Sequence, residues 1–436
     1  MNVVQALAWY FPDSVGGTEI YVSGLARELA ARGIVSTIAA AASGAQSADY
    51  VRDGIAVHRY PCAENDLAAR RGDAPPRDFK AFVAWLAAQP RGIYHQHSWT
   101  ASCSFHHIAA AKSLGFKTVL TVHVPAYICL RGTMMEFGRD PCDGRVEAVR
   151  CAMCWSQGRG ISESLAQALG RIPQFVSAAA YRSAGDSRLL TAVGARELVA
   201  TRKRQIAAIA EASDRIVAVC GWLRDALRVN GVAESKLVLS RQGIDRAFAA
   251  PTMNSGGDVF RIGFLGRCDP VKGLAVLLEA VAMVPRDAKF ELIVHAVANT
   301  DDDRKLRDVL LAKFAGDPRI KFLPPVPHAE LPAVMASFDL LAVPSQWLET
   351  GPLVVLEAQA CGVPVLGSDL GGIAELVTPG VDGQLVAFSD PAAWAAAIGD
   401  AVAGKLECLG QAHAPRSVRT MADAASDMVA LYAGLA

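Results

Sequence analysis

Short apolar or β-branched runs alternate with Ala- and Leu-rich stretches of helical period, and the series occurs twice. In the first series, strands are expected at 3–8, 35–40, 92–97, 118–123, 214–219 and 236–240, with helices at 19–32 and 103–114. In the second, strands are expected at 260–266, 289–295, 320–322, 340–343 and 364–367, and helices at 275–283, 304–314 and 354–360. Strands that alternate with helices pair as parallel neighbours, because each helix crosses over one face of the sheet. The small, polar, Pro- and Gly-containing stretch 248–258 separates the two series and is expected to be a linker. A single core seldom exceeds roughly 250–300 residues, and this chain has 436. The fold class is therefore α/β: two Rossmann-like, doubly wound domains at 1–247 and 248–414, with 415–436 as a last helix. In such sheets ligands bind at the carboxyl ends of the strands. Residues 125–160, rich in Cys, Gly and Arg, and residues 161–212, all helical in pattern, interrupt the first series.

Composition narrows the class. The chain is 52% hydrophobic and 20% charged, enough apolar material for two cores. Lys and Arg balance Asp and Glu at 43 each, which argues against nucleic acid as a partner. Residues 1–247 nevertheless carry 29 basic against 21 acidic side chains, so the first domain suits an anionic surface or substrate. The first eight residues have no basic leader and read as a buried strand. No apolar run approaches the roughly 18 residues of a membrane span. The expectation is a cytoplasmic protein, at most peripheral to the inner face of the membrane.

The densest chemistry lies in 344–365, Pro-Ser-Gln-Trp-Leu-Glu-Thr-Gly-Pro-Leu-Val-Val-Leu-Glu-Ala-Gln-Ala-Cys-Gly-Val-Pro-Val. Glu349 sits in a loop after a strand, and Glu357 stands eight positions on, within the helix that the loop opens. Gly351, Pro352 and Leu353 lie where that helix starts, and its free N–H groups can receive a phosphate or sugar oxygen. Glu349 can accept from sugar hydroxyls, and Glu357 from both hydroxyls of a ribose. A second loop, 263–274, carries Arg267 and Lys272 between a strand and a helix. Such a fork of donors and a point charge suit a diphosphate whose charge grows as it leaves. A third, 14–20, carries adjacent Gly16 and Gly17, which let the backbone approach a phosphate. Neither G-x-G-x-x-G nor G-x-x-x-x-G-K-[ST] occurs, which weakens dehydrogenase and NTPase readings.

The 344–365 segment, with 368–376 after it, resembles the E-x7-E signature of glycosyltransferase family four, retaining enzymes of GT-B architecture. The resemblance implies that Glu349 contacts the transferred sugar, Glu357 holds the ribose, and Arg267 and Lys272 bind the diphosphate. It implies that Gly16 and Gly17 close over the donor phosphates, that His123 contacts the donor sugar, and that catalysis needs no metal. Many relatives follow that histidine with Asp, whereas Val124 stands here. The last helix resembles one that crosses back to the first domain. On this reading the chain moves a sugar from a nucleotide diphosphate sugar to a hydroxyl on a sugar, lipid-linked or small-molecule acceptor in glycan biosynthesis. A nucleotide-sugar epimerase of the same architecture and a non-catalytic nucleotide-sugar-binding protein are the alternatives.

Three features stand apart. His95 and His97 share one strand face and are candidate acceptor residues. Asp301–Asp303 precede a helical stretch, where acids suit the helix dipole better than a metal role. Cys129, Cys142, Cys151 and Cys154 are spaced C-x12-C-x8-C-x2-C. With Cys151 and Cys154 on a hairpin, four thiolates would complete a tetrahedron around a structural zinc ion. Four reduced thiols, a redox pair or an iron–sulfur cluster are the other readings.

Overall fold

A computed structural model describes residues 1–14, 16–44, 46–62, 67–72, 74–185, 187–249, 259–411 and 418–435. The chain divides into two compact units, Met1–Arg241 with Met421–Ala436, and Gln242–Thr420. Most of the expected linker, 250–258, and the expected boundary at 414–415 lie outside the described residues.

In the first unit the strands are β1 (Asn2–Leu7), β2 (Val35–Ser43), β3 (Ala48–Arg52), β4 (Ile55–Cys62), β5 (Ile93–Gln96) and β6 (Lys117–Val122). A two-stranded ribbon, β7 (Met135–Glu136) and β8 (Asp140–Pro141), follows, then β9 (Arg215–Ala218) and β10 (Leu237–Leu239). Eight of these form one sheet in the order β10-β9-β6-β5-β1-β2-β4-β3. All neighbours are parallel except β3 on β4. The order reverses at β1, between β2 on one side and β5 on the other, so the loops after β1 and β5 flank the switch point where such sheets bind ligands. Strands β1, β5 and β6 are buried almost throughout, as strands covered by helices on both faces must be.

The C-terminal helix Met421–Ala433 belongs to this unit and packs on the first helix, Gly17–Ala30. Arg32 Nη2 donates to Ala422 O at 2.9 Å, and Gly24 lies where a Cβ would stand 3.2 Å from Met421 Cγ. Residues 161–212 are helical in four segments, Glu163–Gly170, Gln174–Ser183, Arg188–Val193 and Ala195–Ala212.

The second unit holds β11 (Phe260–Arg267), β12 (Phe290–Val297), β13 (Ile320–Leu323), β14 (Leu340–Val343), β15 (Val365–Ser368) and β16 (Gly383–Val386). They run parallel in the order β13-β12-β11-β14-β15-β16. Here the switch point falls between β11 and β14. One core cluster includes Leu277, Leu292 and Trp394, and another includes Phe338, Leu341 and Val355. Asp301–Asp303 form the first turn of helix Asp301–Phe314, where Asp303 closes a capping box with Thr300.

Candidate active site

In the second unit, three loops at the carboxyl ends of β11, β14 and β15 meet around Glu349. The β11 loop turns through Pro270–Lys272 into helix Leu274–Met283. At the junction Gly273 has φ +71°, and a Cβ there would stand 1.8 Å from Pro344 O, so only glycine lets the first two loops touch. Gln346 N donates to Val271 O at 2.7 Å and ties them together. The third loop ends at Leu370, and the helix Gly371–Leu376 after it begins with Gly371, at φ +54°, and Gly372, whose N–H donates to Glu349 O at 2.6 Å. A Cβ on Gly371 would meet Leu348 Cα at 2.8 Å. Glu349 is thus fixed by its backbone as well as its side chain.

The Glu349 carboxylate is 5% exposed and accepts from Lys272 Nζ at 2.5 Å and Ser345 Oγ at 2.8 Å. Lys272 Nζ also lies 5.5 Å from the centre of the Trp347 ring. Two residues expected to face different parts of one ligand are therefore an ion pair. Arg267, half-exposed at the end of β11, stands 3.5 Å from Asp269 Oδ2 in its own loop. Gly351 closes on Gln242, where a Cβ would stand 2.8 Å from the amide oxygen. Pro352 caps helix Leu353–Ala360 and accepts from Val355 N–H at 3.0 Å, so that only the N–H groups of Leu353 and Val354 lack an intrahelical carbonyl. Glu357 lies inside that helix with part of its surface open. Burial of its carboxyl pushes its pKa up to about 7.

In the first unit, Gly16 precedes the first helix and Gly17 begins it. The loop before them is held from below. Buried Arg59 donates to Ala41 O at 2.7 Å, Tyr10 O at 3.2 Å and Asp13 Oδ2 at 2.6 Å. Ser14 Oγ donates to Glu19 Oε1 at 3.0 Å, and a Cβ on Gly16 would meet Glu19 Oε2 at 2.7 Å.

His123 follows β6 directly, is buried, and packs edge-on to Tyr21 at 5.1 Å. His97 Nδ1 is 3.1 Å from His123 Nε2, and His97 Nε2 is 2.7 Å from Gln5 Oε1. An amide oxygen only accepts, so His97 carries its proton on Nε2; neutral His97 then accepts at Nδ1, and His123 donates from Nε2. Burial lowers the pKa of His123 to about 3 and pushes that of His97 well down, which keeps both rings neutral. His95 bonds Tyr432 OH at 2.6 Å and Thr121 Oγ1 at 2.7 Å. His95 and His97, the expected acceptor residues, are both buried, and their ring nitrogens bond within the unit.

The cysteine segment needs one correction. Cys151 and Cys154 sit on helix Ala148–Gln157, not on a hairpin. All four cysteines, with Met134 and Trp155, line one cavity of about 30 Å³. Phe137 N–H donates to Cys154 Sγ at 3.1 Å, and Glu147 N–H to Cys151 Sγ at 3.3 Å. Among the described residues no three His, Cys, Asp or Glu side chains form a group that could hold a metal ion.

Gln5, Arg59, Ser345 and Tyr432 complete these sites without belonging to any motif that assigns them a role. Gln5 had a signal, a lone amide within the apolar run Val-Val-Gln-Ala-Leu. Arg59 and Tyr432 had none, because their partners are remote in the chain.

Known proteins can now be compared with this geometry. The glycosyl transferase 4-like domain matches residues 16–243, more than half of the chain, and the domain described as glycosyl transferases group 1 matches 259–403. The chain belongs to the glycosyl transferase 4-like family. Among the relatives of this family member, the D-inositol 3-phosphate glycosyltransferase of Nocardia farcinica is 34% identical over 48% of this chain and 46% of its own. That of Catenulispora acidiphila is 28% identical over 88% of this chain and 81% of its own. The chain spans about half the length of the first relatives it matches. Among solved structures, sucrose-phosphate synthase from Thermosynechococcus elongatus superposes with a TM-score of 0.69 at 19% identity, covering 100% of this chain and 99% of that one. Anabaena HepE, in complex with UDP and glucose, gives 0.64 at 15%, covering 100% of both chains. These likenesses establish the GT-B fold.

Proposed function

We propose that this chain transfers a sugar from a nucleotide diphosphate sugar to a hydroxyl acceptor, with retention of anomeric configuration. One observation carries the reading: the buried Glu349–Lys272 pair, gathered by three glycine-dependent loops at the switch point of the second sheet. A sugar hydroxyl approaching Glu349 finds a fixed acceptor, and a diphosphate approaching Lys272 and Arg267 finds positive charge. The cations stabilise the charge that develops on the leaving diphosphate, while the loops supply orientation. Catalysis then draws on protein cations and needs no metal, so chelator-treated protein should keep its turnover. The ribose hydroxyls are assigned to Glu357. His123 and the Gly16–Gly17 loop belong to the same donor chemistry, and acceptor binding is assigned to the first unit.

The UDP in the HepE structure supports a nucleotide-linked donor for this chain. A panel of nucleotide sugars, scored by the rise in melting temperature, tests that class, since a ligand that binds only the native state stabilises it. A panel with no stabilising member overturns it. The anomeric proton of the product, followed by NMR, tests retention. The basic balance of residues 1–247 supports peripheral contact with an anionic membrane that bears a lipid-linked acceptor. Absence of co-sedimentation with anionic vesicles at low salt removes that contact.

The cysteine cavity is assigned a structural soft metal, zinc before iron. The shared cavity supports it; burial outweighs the N–H donors and pushes the Cys151 thiol up to about 11 and the Cys142 and Cys154 thiols up, so the cation itself would have to draw off their protons. The ion would have to draw the sulfurs together from where they stand. Elemental analysis of protein purified without chelator is the test, and a trace well below one equivalent ends the assignment.

A further inference from the structure

A cavity of about 840 Å³ opens in the first unit, away from the strand ends, within the helical segment. Helices Ala148–Gln157, Glu163–Gly170 and Arg188–Val193 contribute to it. Trp155, Leu165 and Leu189 supply apolar wall, and Arg71, Arg159 and Arg188 supply charge. No carboxylate is among the described lining residues. The volume falls within the roughly 300–1,000 Å³ of ordinary ligand sites, and a mostly apolar lining with a few polar groups is their usual chemistry.

Two of the arginines are held in place. Arg71 donates to Tyr181 O at 2.9 Å and Gly185 O at 3.1 Å, and lies 4.8 Å over the Tyr181 ring. Arg159 lies 5.1 Å over the ring of Trp155. Two residues of the apolar wall are open to water, Leu165 at 52% and Leu189 at 72%, while Trp155 beneath is 8% exposed. Single exposed leucines are ordinary on any surface. Two beside a tryptophan, in a groove whose described lining carries three cations and no acid, match a ligand that is apolar along its length and anionic at its end.

We propose that this groove binds a membrane lipid, its hydrocarbon chain against Trp155, Leu165 and Leu189 and its phosphate head on the arginines. The proposal deepens the membrane contact described above, giving it a defined site where net charge alone would give a diffuse one. The glycosyl transfer reading does not depend on it.

Calorimetric titration of the full chain with decyl phosphate, kept monomeric, is the test, with inorganic phosphate and decyl maltoside as controls. Saturable binding about tenfold or more tighter than either control is expected. Arg159→Ala with Arg188→Ala, and separately Leu165→Ser with Leu189→Ser, should each weaken it about tenfold or more. Arg159→Lys with Arg188→Lys should retain most of it, which separates lost charge from lost fold. Decyl phosphate binding no better than inorganic phosphate overturns the proposal, as does native affinity in either of the two disruptive pairs. Vesicle binding that survives both pairs leaves the diffuse electrostatic contact standing and removes the groove alone.

Discussion

Glu357 titrates near pH 7 because burial disfavours its charged form. Hydroxyl donors would favour the carboxylate and pull that pKa down. Binding of a nucleoside diphosphate at pH 7 should therefore release up to about half a proton, seen as a dependence of binding enthalpy on buffer ionisation. Glu357→Gln should lower the release to the small part that the terminal phosphate, with a second pKa of about 6, gives up on meeting the cations, and should weaken binding. Proton-neutral binding by the native chain contradicts the ribose role. Lys272 and Arg267 make a different prediction. Alanine at either should cost on the order of 3 kcal/mol in the transition state, about a hundredfold in kcat. Native turnover in both variants, with folding intact, sinks the diphosphate assignment. Gln5 acts one step further back, through His97. Gln5→Leu should remove the acceptor that fixes the His97 tautomer, and imidazole nitrogen NMR shifts read this directly. Unchanged nitrogen shifts contradict the chain of bonds from Gln5 to His123.

Elements explain why parts of the chain were legible and others were not. Eleven of the strands announce themselves through period and length, so most of each sheet follows from the sequence. β3, β4 and β16 do not: Ala48–Arg52 is half polar and mostly exposed, Ile55–Cys62 is buried almost throughout but interrupted by His58 and Arg59, and Gly383–Val386 is only four residues long. The loops were legible as positions but not as contacts. Nothing local to Gly273 or Gly371 says that each must pass a remote backbone within van der Waals distance. Lys272 and Glu349 stand 77 positions apart, so their pairing depends on how the β11 and β14 loops pack. The C-x2-C spacing read as a hairpin because that is its use in many metal sites, while the flanking residues favoured a helix here. Gly273→Ala tests the loop packing. The left-handed backbone alone costs about 1–2 kcal/mol, and overlap with Pro344 adds to it. The variant should lose nucleoside diphosphate binding and melt earlier, and native binding in it contradicts the three-loop arrangement.

At the scale of the whole molecule, the buried histidines of the first unit and Glu357 of the second respond to pH with opposite sign. His95, His107 and His123 have folded pKa values near 3 against an ordinary 6.5, so the unfolded chain binds more protons between these values. Their contribution to stability is complete above pH 6.5 and is lost as pH falls towards 3, by about 2 kcal/mol per histidine at pH 5. Glu357 has the reverse sign: its folded pKa lies above the ordinary value, so its contribution is complete below pH 4.5 and is lost as pH rises through 7. Hydrogen exchange at pH 7 and pH 5, corrected for intrinsic rates, should show β5 and β6 losing protection on acidification. Equal protection of these strands at both values contradicts the neutral buried histidines. The central claim, that the chain uses a nucleotide diphosphate sugar to glycosylate an acceptor, meets its most direct test in nucleoside diphosphate release measured with and without acceptor across a panel of donors. The account predicts release from at least one donor that depends on acceptor and falls about a hundredfold or more in Glu349→Ala. Release that ignores the acceptor, or survives unchanged without Glu349, would contradict it.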